Sequence, residues 1–201
     1  MPVLGITGGA ACGKSSFSKL LGALLPGSVL FSADAEVQRL VSGDARVRAG
    51  LEELFGPRAF DASGAYDRPY VRTRVFADPS LREQLNALLH PRVRESWAAL
   101  AQEFHNSRNW LLAEIPLLYE THGQVLCNRV ATVACSPQTQ WHRLTVLRAL
   151  PEAVAEQIRV AQASLEEKSN RAEHLIWNDC PLSCLSRQAA LFAAWLLRPG
   201  G

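Results

Sequence analysis

Residues 8–16 read GGAACGKSS, a stretch so poor in side chains that its chemistry must come from its backbone. Gly8, four variable positions, Gly13, Lys14 and Ser15 satisfy G-x-x-x-x-G-K-[ST], with an apolar run before and the helix-forming SSFSKLLGALL after. Glycines let such a loop curl until successive N–H groups point inward, and the positive end of the following helix adds to the nest. Phosphate is the ligand this cradle suits. Lys14, one of only three lysines, then bridges the β and γ phosphates of a nucleotide, and Ser15 ligates Mg2+. Together they offset the charge that builds as a phosphoryl group moves. Cys12 sits at a variable loop position near a helix amino end, which lowers a thiol's pKa and makes redox sensitivity there a hypothesis.

A phosphate loop does not name an acceptor. The next acid along the chain, Asp34 in VLFSADAEVQRL, follows a second apolar run. An aspartate past a buried strand, opposite a phosphate loop, is placed to take a proton from an attacking hydroxyl. It is equally placed to cap the helix that follows, and the two roles are compatible.

Elements must hold these residues together. Apolar runs rich in β formers occupy residues 3–6, 29–31, 110–113, 130–135 and 175–177, and helical patterns separate them. Val93, Trp97, Leu100 and Phe104 recur at helical spacing, as do Val154, Ile158, Ala161 and Leu165, each set predicting one buried face. Ser136 before Pro137 reads as an N-cap with proline in the first turn. Alternating strands and helices predict an α/β three-layer architecture on a five-stranded parallel sheet. Residues 34–108 hold helical patterns and no convincing strand, more chain than one crossover helix needs. The expected division is a nucleotide-binding core of residues 1–33 and 109–201, with a helical lid at about 137–171. Residues 34–108 then form a mainly helical insert over the carboxyl edge of the sheet, where ligands bind in such folds.

Composition narrows the classes. The hydrophobic fraction of 48% and charged fraction of 20% suit a globular protein, and no apolar run reaches the ~20 residues that cross a bilayer. The opening MPVLGITGG lacks the basic start and cleavage site of a secretory leader, so a cytoplasmic location without membrane contact is expected. Five cysteines at irregular spacing predict reduced thiols and no zinc site. A net charge of +2 gives no case for nucleic acid.

At this point the chain resembles the dephospho-coenzyme A kinase family along almost its whole length. ITGGAACGKSS resembles that family's phosphate loop, and SADAEVQRLV its Asp-Ala-Asp segment. DRPYVRTRVFADPSLREQLNALLHPRV is similar to its insert, and EIPLLYE to its Pro-Leu-Leu-aromatic-Glu strand end. SPQTQWHRL, QIRVAQASLEEK and IWND resemble its lid and adenine-side segments. The resemblance implies a phosphate-loop kinase fold and ATP-dependent phosphorylation of the ribose 3'-hydroxyl of dephospho-coenzyme A. It implies Asp34 as base and Arg143 closing over the phosphates, beside Lys14. It implies that Gly9, Ala10, Ala11, Cys12, Gly13, Lys14, Ser15, Ser16 and Asn178 contact ATP. Thr7, Asp34, His90, Pro116, Leu117 and Leu118 are implied to contact the acceptor. Mg2+ on Ser15 and a monomer or weak homo-oligomer complete the expectation.

The chain also departs from the pattern. Ser32 stands where the family has aspartate, and Gln38 where it has a basic residue, with Arg39 displaced by one. Ala11 and Cys12 replace the usual glycine and serine. One extra residue separates Arg143 from Arg148, a shift of about 100° around an α-helix. The competing readings are a nucleoside or sugar kinase of the same fold, and a non-catalytic nucleotide binder.

Overall fold

The computed structural model describes residues 3–198, and five apolar runs form one parallel sheet in it: β1 (Val3–Gly8), β2 (Val29–Ser32), β3 (Leu111–Glu114), β4 (Arg129–Ala134) and β5 (His174–Trp177). Their order across the sheet is β2-β3-β1-β4-β5, so the strand that feeds the glycine loop lies at the centre. All six residues of β1 and all four of β3 are buried, as a parallel sheet covered on both faces requires.

Side chains alternate across the pleat, and this assigns the two outer layers. Leu4 and Ile6 of β1 and Val133 of β4 join a core with Phe17 of α1 (Lys14–Leu24) and with Phe192 and Ala193 of α9, the helix at Leu182–Leu196. The intervening positions face the other way. Thr7 Oγ1 donates to the Pro116 carbonyl, and Thr132 Oγ1 donates to the Lys168 carbonyl, both on that second face.

The chain divides into two units, one of residues 3–32 with 98–198 and one of residues 33–97. The second unit contains α2 (Ala33–Gly43), α3 (Ala45–Phe55), α4 (Arg68–Ala77) and most of α5 (Pro79–Phe104). Its sequence writes its own helix starts. Asp44 accepts from the Arg46 and Val47 N–H groups to open α3, and Asp67 accepts from the Tyr70 N–H to open α4 with proline in the first turn. Val41, Val47, Leu51, Ala59 and Val71 are its most buried apolar side chains.

The remaining helices are α6 (Pro137–His142), α7 (Glu152–Val160) and α8 (Leu165–Arg171), with a π-helical turn at Arg143–Leu147 between the first two. Ser136 caps α6 by accepting from the Thr139 N–H, as the Ser-Pro pair predicts. Two periodic patterns come out differently from expectation. Val93 and Trp97 are buried, but Leu100 and Phe104 are only half-buried. The run through Val154, Ile158, Ala161 and Leu165 is not one helix: α7 ends at Val160, and the Ser164 hydroxyl accepts from the Glu167 N–H to start α8 afresh. A serine competing locally for backbone N–H groups outweighed the apolar spacing. Ala155 is the buried position of α7, while Ala161 is exposed.

Candidate active site

The loop between β1 and α1 has the backbone its sequence requires. Gly8 (φ 141°) and Gly13 (φ 98°) both take positive φ, and added side chains have no room at either. A Cβ on Gly8 would lie 2.0 Å from the Val133 carbonyl oxygen, and one on Gly13 2.2 Å from Asn178 Nδ2. Ala11 also takes a left-handed conformation (φ 60°), at a position where glycine would be unstrained. No side chain caps α1 and no acid of its own lies in its first turn, so its amino end is open toward the loop.

Lys14 is buried and folds back over the loop, its ammonium donating to the carbonyls of Gly8 (3.0 Å) and Gly9 (2.8 Å). Ser15 Oγ donates to Glu114 Oε1 (2.5 Å). Glu114 is buried at the last position of β3, in register with Ile6 of β1. Ser15 and Glu114 together form a hard oxygen donor set of the kind Mg2+ takes. Glu114 is the candidate site residue the sequence reading missed. The signal was an acid ending a buried strand, but adjacency to Ser15 depends on β1 and β3 being neighbours.

A second group of side chains holds the loop from the β4 and β5 side. Gln140 of α6 donates to the Ala10 carbonyl (3.0 Å), and the Ala10 N–H donates to Gln162 Oε1 (3.1 Å). Arg143 reaches the Ala11 carbonyl at 3.4 Å and donates to the Asn178 carbonyl at 2.9 Å. Asn178, buried just past β5, donates from Nδ2 to the Cys12 carbonyl (2.8 Å). Arg143 therefore lies against the phosphate loop, and Asn178 supports that loop from beneath. Arg143 also begins the π-helical turn, closed by the Arg148 N–H donating to the Arg143 carbonyl (3.1 Å). A π turn takes up one extra residue, so Arg148 is not carried round by the rotation an α-helical continuation would impose. Ser16 is exposed in the first turn of α1.

The segment after β3 is fastened to the same unit. The Pro116 carbonyl accepts from Thr7 Oγ1 (3.2 Å) and from the Lys168 ammonium (2.6 Å), and Lys168 also pairs with Glu120 (2.9 Å). Lys168 is fully buried, an unusual place for a lysine. Of the three acceptor contacts expected here, Leu118 is buried beside Gly5, whereas Pro116 and Leu117 are half-buried.

In the second unit, Asp34 is exposed in the first turn of α2, two residues beyond the last residue of β2. Glu36 accepts both of its neighbour's guanidinium bonds, from Arg39 Nε (2.9 Å) and Nη2 (2.7 Å), and a third from Ser96 Oγ (2.6 Å). The Arg39 bonds hold its carboxyl below the ordinary range against the opposing effect of burial. The displaced arginine is thus committed to Glu36. His90 is half-buried on α5, and burial lowers its pKa, which favours the neutral ring.

The loop geometry suits a phosphate at one end of the sheet, with Lys14, Arg143 and Glu114 beside the loop or its following helix. A family model described as dephospho-CoA kinase matches residues 2–183. A dephospho-CoA kinase of Symbiobacterium thermophilum is 35% identical over 202 residues, spanning 100% of this chain and 83% of the relative. One from Staphylococcus epidermidis is 36% identical over 176 residues, 88% of this chain and 86% of its own length. Among solved structures, a Thermus thermophilus protein aligns with a TM-score of 0.75 at 28% identity over 98% of both chains. The dephospho-CoA kinase of Campylobacter jejuni aligns with a TM-score of 0.66 at 21% identity over 96% of both, a likeness of fold.

Proposed function

Because the chain belongs to the dephospho-CoA kinase family, we infer that it catalyses ATP-dependent phosphorylation of dephospho-coenzyme A, with the ribose 3'-hydroxyl as acceptor and coenzyme A and ADP as products. The observation that carries this reading is a complete phosphate loop, Gly8 to Ser15, with Lys14 and Glu114 in contact with it, in a chain matched to that family over residues 2–183.

Phosphoryl transfer asks the protein mainly for positioning and charge stabilisation. The loop amides of residues 9–13 and the amino end of α1 hold the β phosphate. The Lys14 ammonium exchanges the Gly8 and Gly9 carbonyls for β and γ oxygens. Arg143, already against the Ala11 carbonyl, meets the negative charge that spreads over the moving phosphoryl group. Asp34 accepts the proton of the attacking hydroxyl, and its place beyond β2 and its exposure suit that role. Thr7, His90, Pro116, Leu117 and the backbone of Leu118 hold the acceptor, and Asn178 acts on the nucleotide through the loop it supports. Mg2+ bound by Ser15, with Glu114 beside it, would neutralise charge on the β and γ phosphates.

The enzyme works in the cytoplasm as a monomer or weak homo-oligomer, with residues 34–108 serving the acceptor and residues 137–171 the lid. Among the described residues no helix is long and apolar enough to cross a membrane. The deciding experiment is a coupled ADP-release assay with ATP and a panel of acceptors. The reading expects dephospho-coenzyme A to exceed every nucleoside and sugar in kcat/KM, and a preferred nucleoside or sugar would overturn it.

A further inference from the structure

Cys12 and Cys135 are 123 positions apart, yet their sulfurs lie 3.4 Å from each other, and both side chains are buried, at 0% and 1% exposure. The topology brings this about. β1 and β4 are adjacent and parallel with Gly8 opposite Val133, so the loop leaving β1 folds over the residue that leaves β4. Cys12 belongs to the phosphate loop. Cys135 stands between the last residue of β4 and Ser136, the cap of α6.

We propose that Cys12 and Cys135 form a reversible disulfide under peroxide, and that this bond switches off nucleotide binding by deforming the phosphate loop. The second half of this proposal rests on the reading of residues 8–15 as the ATP site; the first half does not.

The surroundings favour Cys12 as the sulfur that reacts first. The Cys135 thiol donates its hydrogen to Cys12 Sγ, and the positive charges of Lys14 and Arg143 stand nearby. The Cys135 bond lowers the Cys12 thiol pKa, burial opposes it, and the two cations add to the lowering. The same bond, together with burial, raises Cys135. Thiolate character and access together govern attack on peroxide, so with Cys12 at 0% exposure the oxidant reaches it when the loop opens.

The chemistry then balances in two steps. Cys12 thiolate attacks one oxygen of hydrogen peroxide, the O–O bond breaks, and hydroxide leaves to take up a proton as water. Sulfur is oxidised to the sulfenic acid while peroxide is reduced. Cys135 sulfur attacks the sulfenic sulfur, the S–S bond forms, the S–O bond breaks, and the departing hydroxide takes the Cys135 proton as a second water. Two thiols and one peroxide give one disulfide and two waters. Reduction by a dithiol reverses it.

The consequence for binding is geometric. A disulfide is ~2.05 Å long, so sulfurs now 3.4 Å apart must close by about 1.4 Å. Cys135 continues a strand paired on both sides, whereas Cys12 lies in a turn, and the loop therefore moves more. Its carbonyl accepts from Asn178 and its N–H donates to the Gly9 carbonyl, so the displacement spreads through the phosphate-facing amides. Misplacement of about 1 Å in such a constellation costs up to ~100-fold in rate, and amides turned from the phosphate lose affinity as well.

The experiment treats the reduced full-length protein with graded hydrogen peroxide, with and without saturating ATP. Thiols are then blocked, and the unreduced digest is analysed by mass spectrometry while ATP affinity is titrated in parallel. The expected result is a Cys12–Cys135 linked peptide, ATP binding weakened roughly tenfold or more, recovery with dithiothreitol, and suppression of the link by bound ATP. Cys135→Ala and Cys135→Ser, outside the binding machinery, should bind ATP normally when reduced and, after peroxide, should give no disulfide-linked peptide at Cys12, any oxidised Cys12 being sulfenic acid or its over-oxidised forms. Absence of the linked peptide when Cys12 is oxidised overturns the proposal, as does a linked protein that binds ATP as well as the reduced one. A reduced protein that never binds ATP would instead defeat the functional reading, while the linked peptide would still report on the pair.

Discussion

Replacing Lys168 with methionine keeps most of the length of a fully buried side chain, lacking only its terminal atom, and removes its charge. The ammonium lies 2.9 Å from Glu120 and 2.6 Å from the Pro116 carbonyl. At an effective dielectric of about 20, a unit pair at that separation attracts by about 6 kcal/mol before desolvation is subtracted. The partner left behind decides the net loss. Glu120 is an exposed residue whose side chain keeps 23% of its accessibility and still accepts from the Ala163 N–H, so water recovers part of the energy. We expect about 3 kcal/mol for Lys168→Met, the lower end of the ~3–5 kcal/mol for breaking a buried pair. Glu120→Gln does the reverse, stranding an ammonium at 0% exposure, and should cost about 4 kcal/mol or more. Urea unfolding reads both. With a slope of ~2 kcal/mol/M, the midpoint falls by about 1.5 M for Lys168→Met and further for Glu120→Gln. The same contacts fix the Pro116 carbonyl, so surviving protein should show a larger rise in KM for dephospho-coenzyme A than for ATP. Midpoints within about 0.3 M of the parent for both variants would refute the burial argument. A reversed order would refute the reasoning about which charge is stranded.

Asp34→Asn should leave ATP affinity within about twofold and cut turnover ~100-fold or more in the coupled assay, the scale of a lost general base. Near-normal turnover would remove Asp34 from that role. Gly13→Ala adds a Cβ 2.2 Å from Asn178 Nδ2 at a φ of 98°, and should abolish measurable ATP binding by titration calorimetry while the fold survives by circular dichroism. Burial pushes the Glu120 carboxyl up, but the Lys168 and Ala163 bonds outweigh it and hold the pKa below the ordinary value. Stability from such a depressed carboxyl is present above the unfolded pKa and lost as pH falls through the folded one. The gap between parent and Lys168→Met in urea midpoint should therefore be constant near neutrality and narrow below about pH 4.

The phosphate loop and all five strands were legible in the sequence because each is a local statement. β formers flank turn residues, and the spacing from Gly8 to Ser15 needs no partner elsewhere. What was missed depends on which strands become neighbours. Glu114 reads as any acid ending a strand until β3 is set beside β1. Lys168 lies in LEEKSNR, a run that reads as a solvated face, and only α8 lying over the sheet face that carries Thr132 shows it to be buried. The helix run through Ala161 failed for the opposite reason, since a single serine at 164 was enough to end one helix and begin another. The extra residue before Arg148 was visible as a count, but its absorption in a π turn was not.

The most direct measurement follows the phosphorus itself. ATP labelled in its γ phosphoryl group is incubated with dephospho-coenzyme A and Mg2+, and the product's labelled phosphate is located by NMR. The account predicts label on the ribose 3'-oxygen, with one ADP released per coenzyme A formed. Label found only in inorganic phosphate, or on an acceptor other than the ribose 3'-hydroxyl, would contradict it.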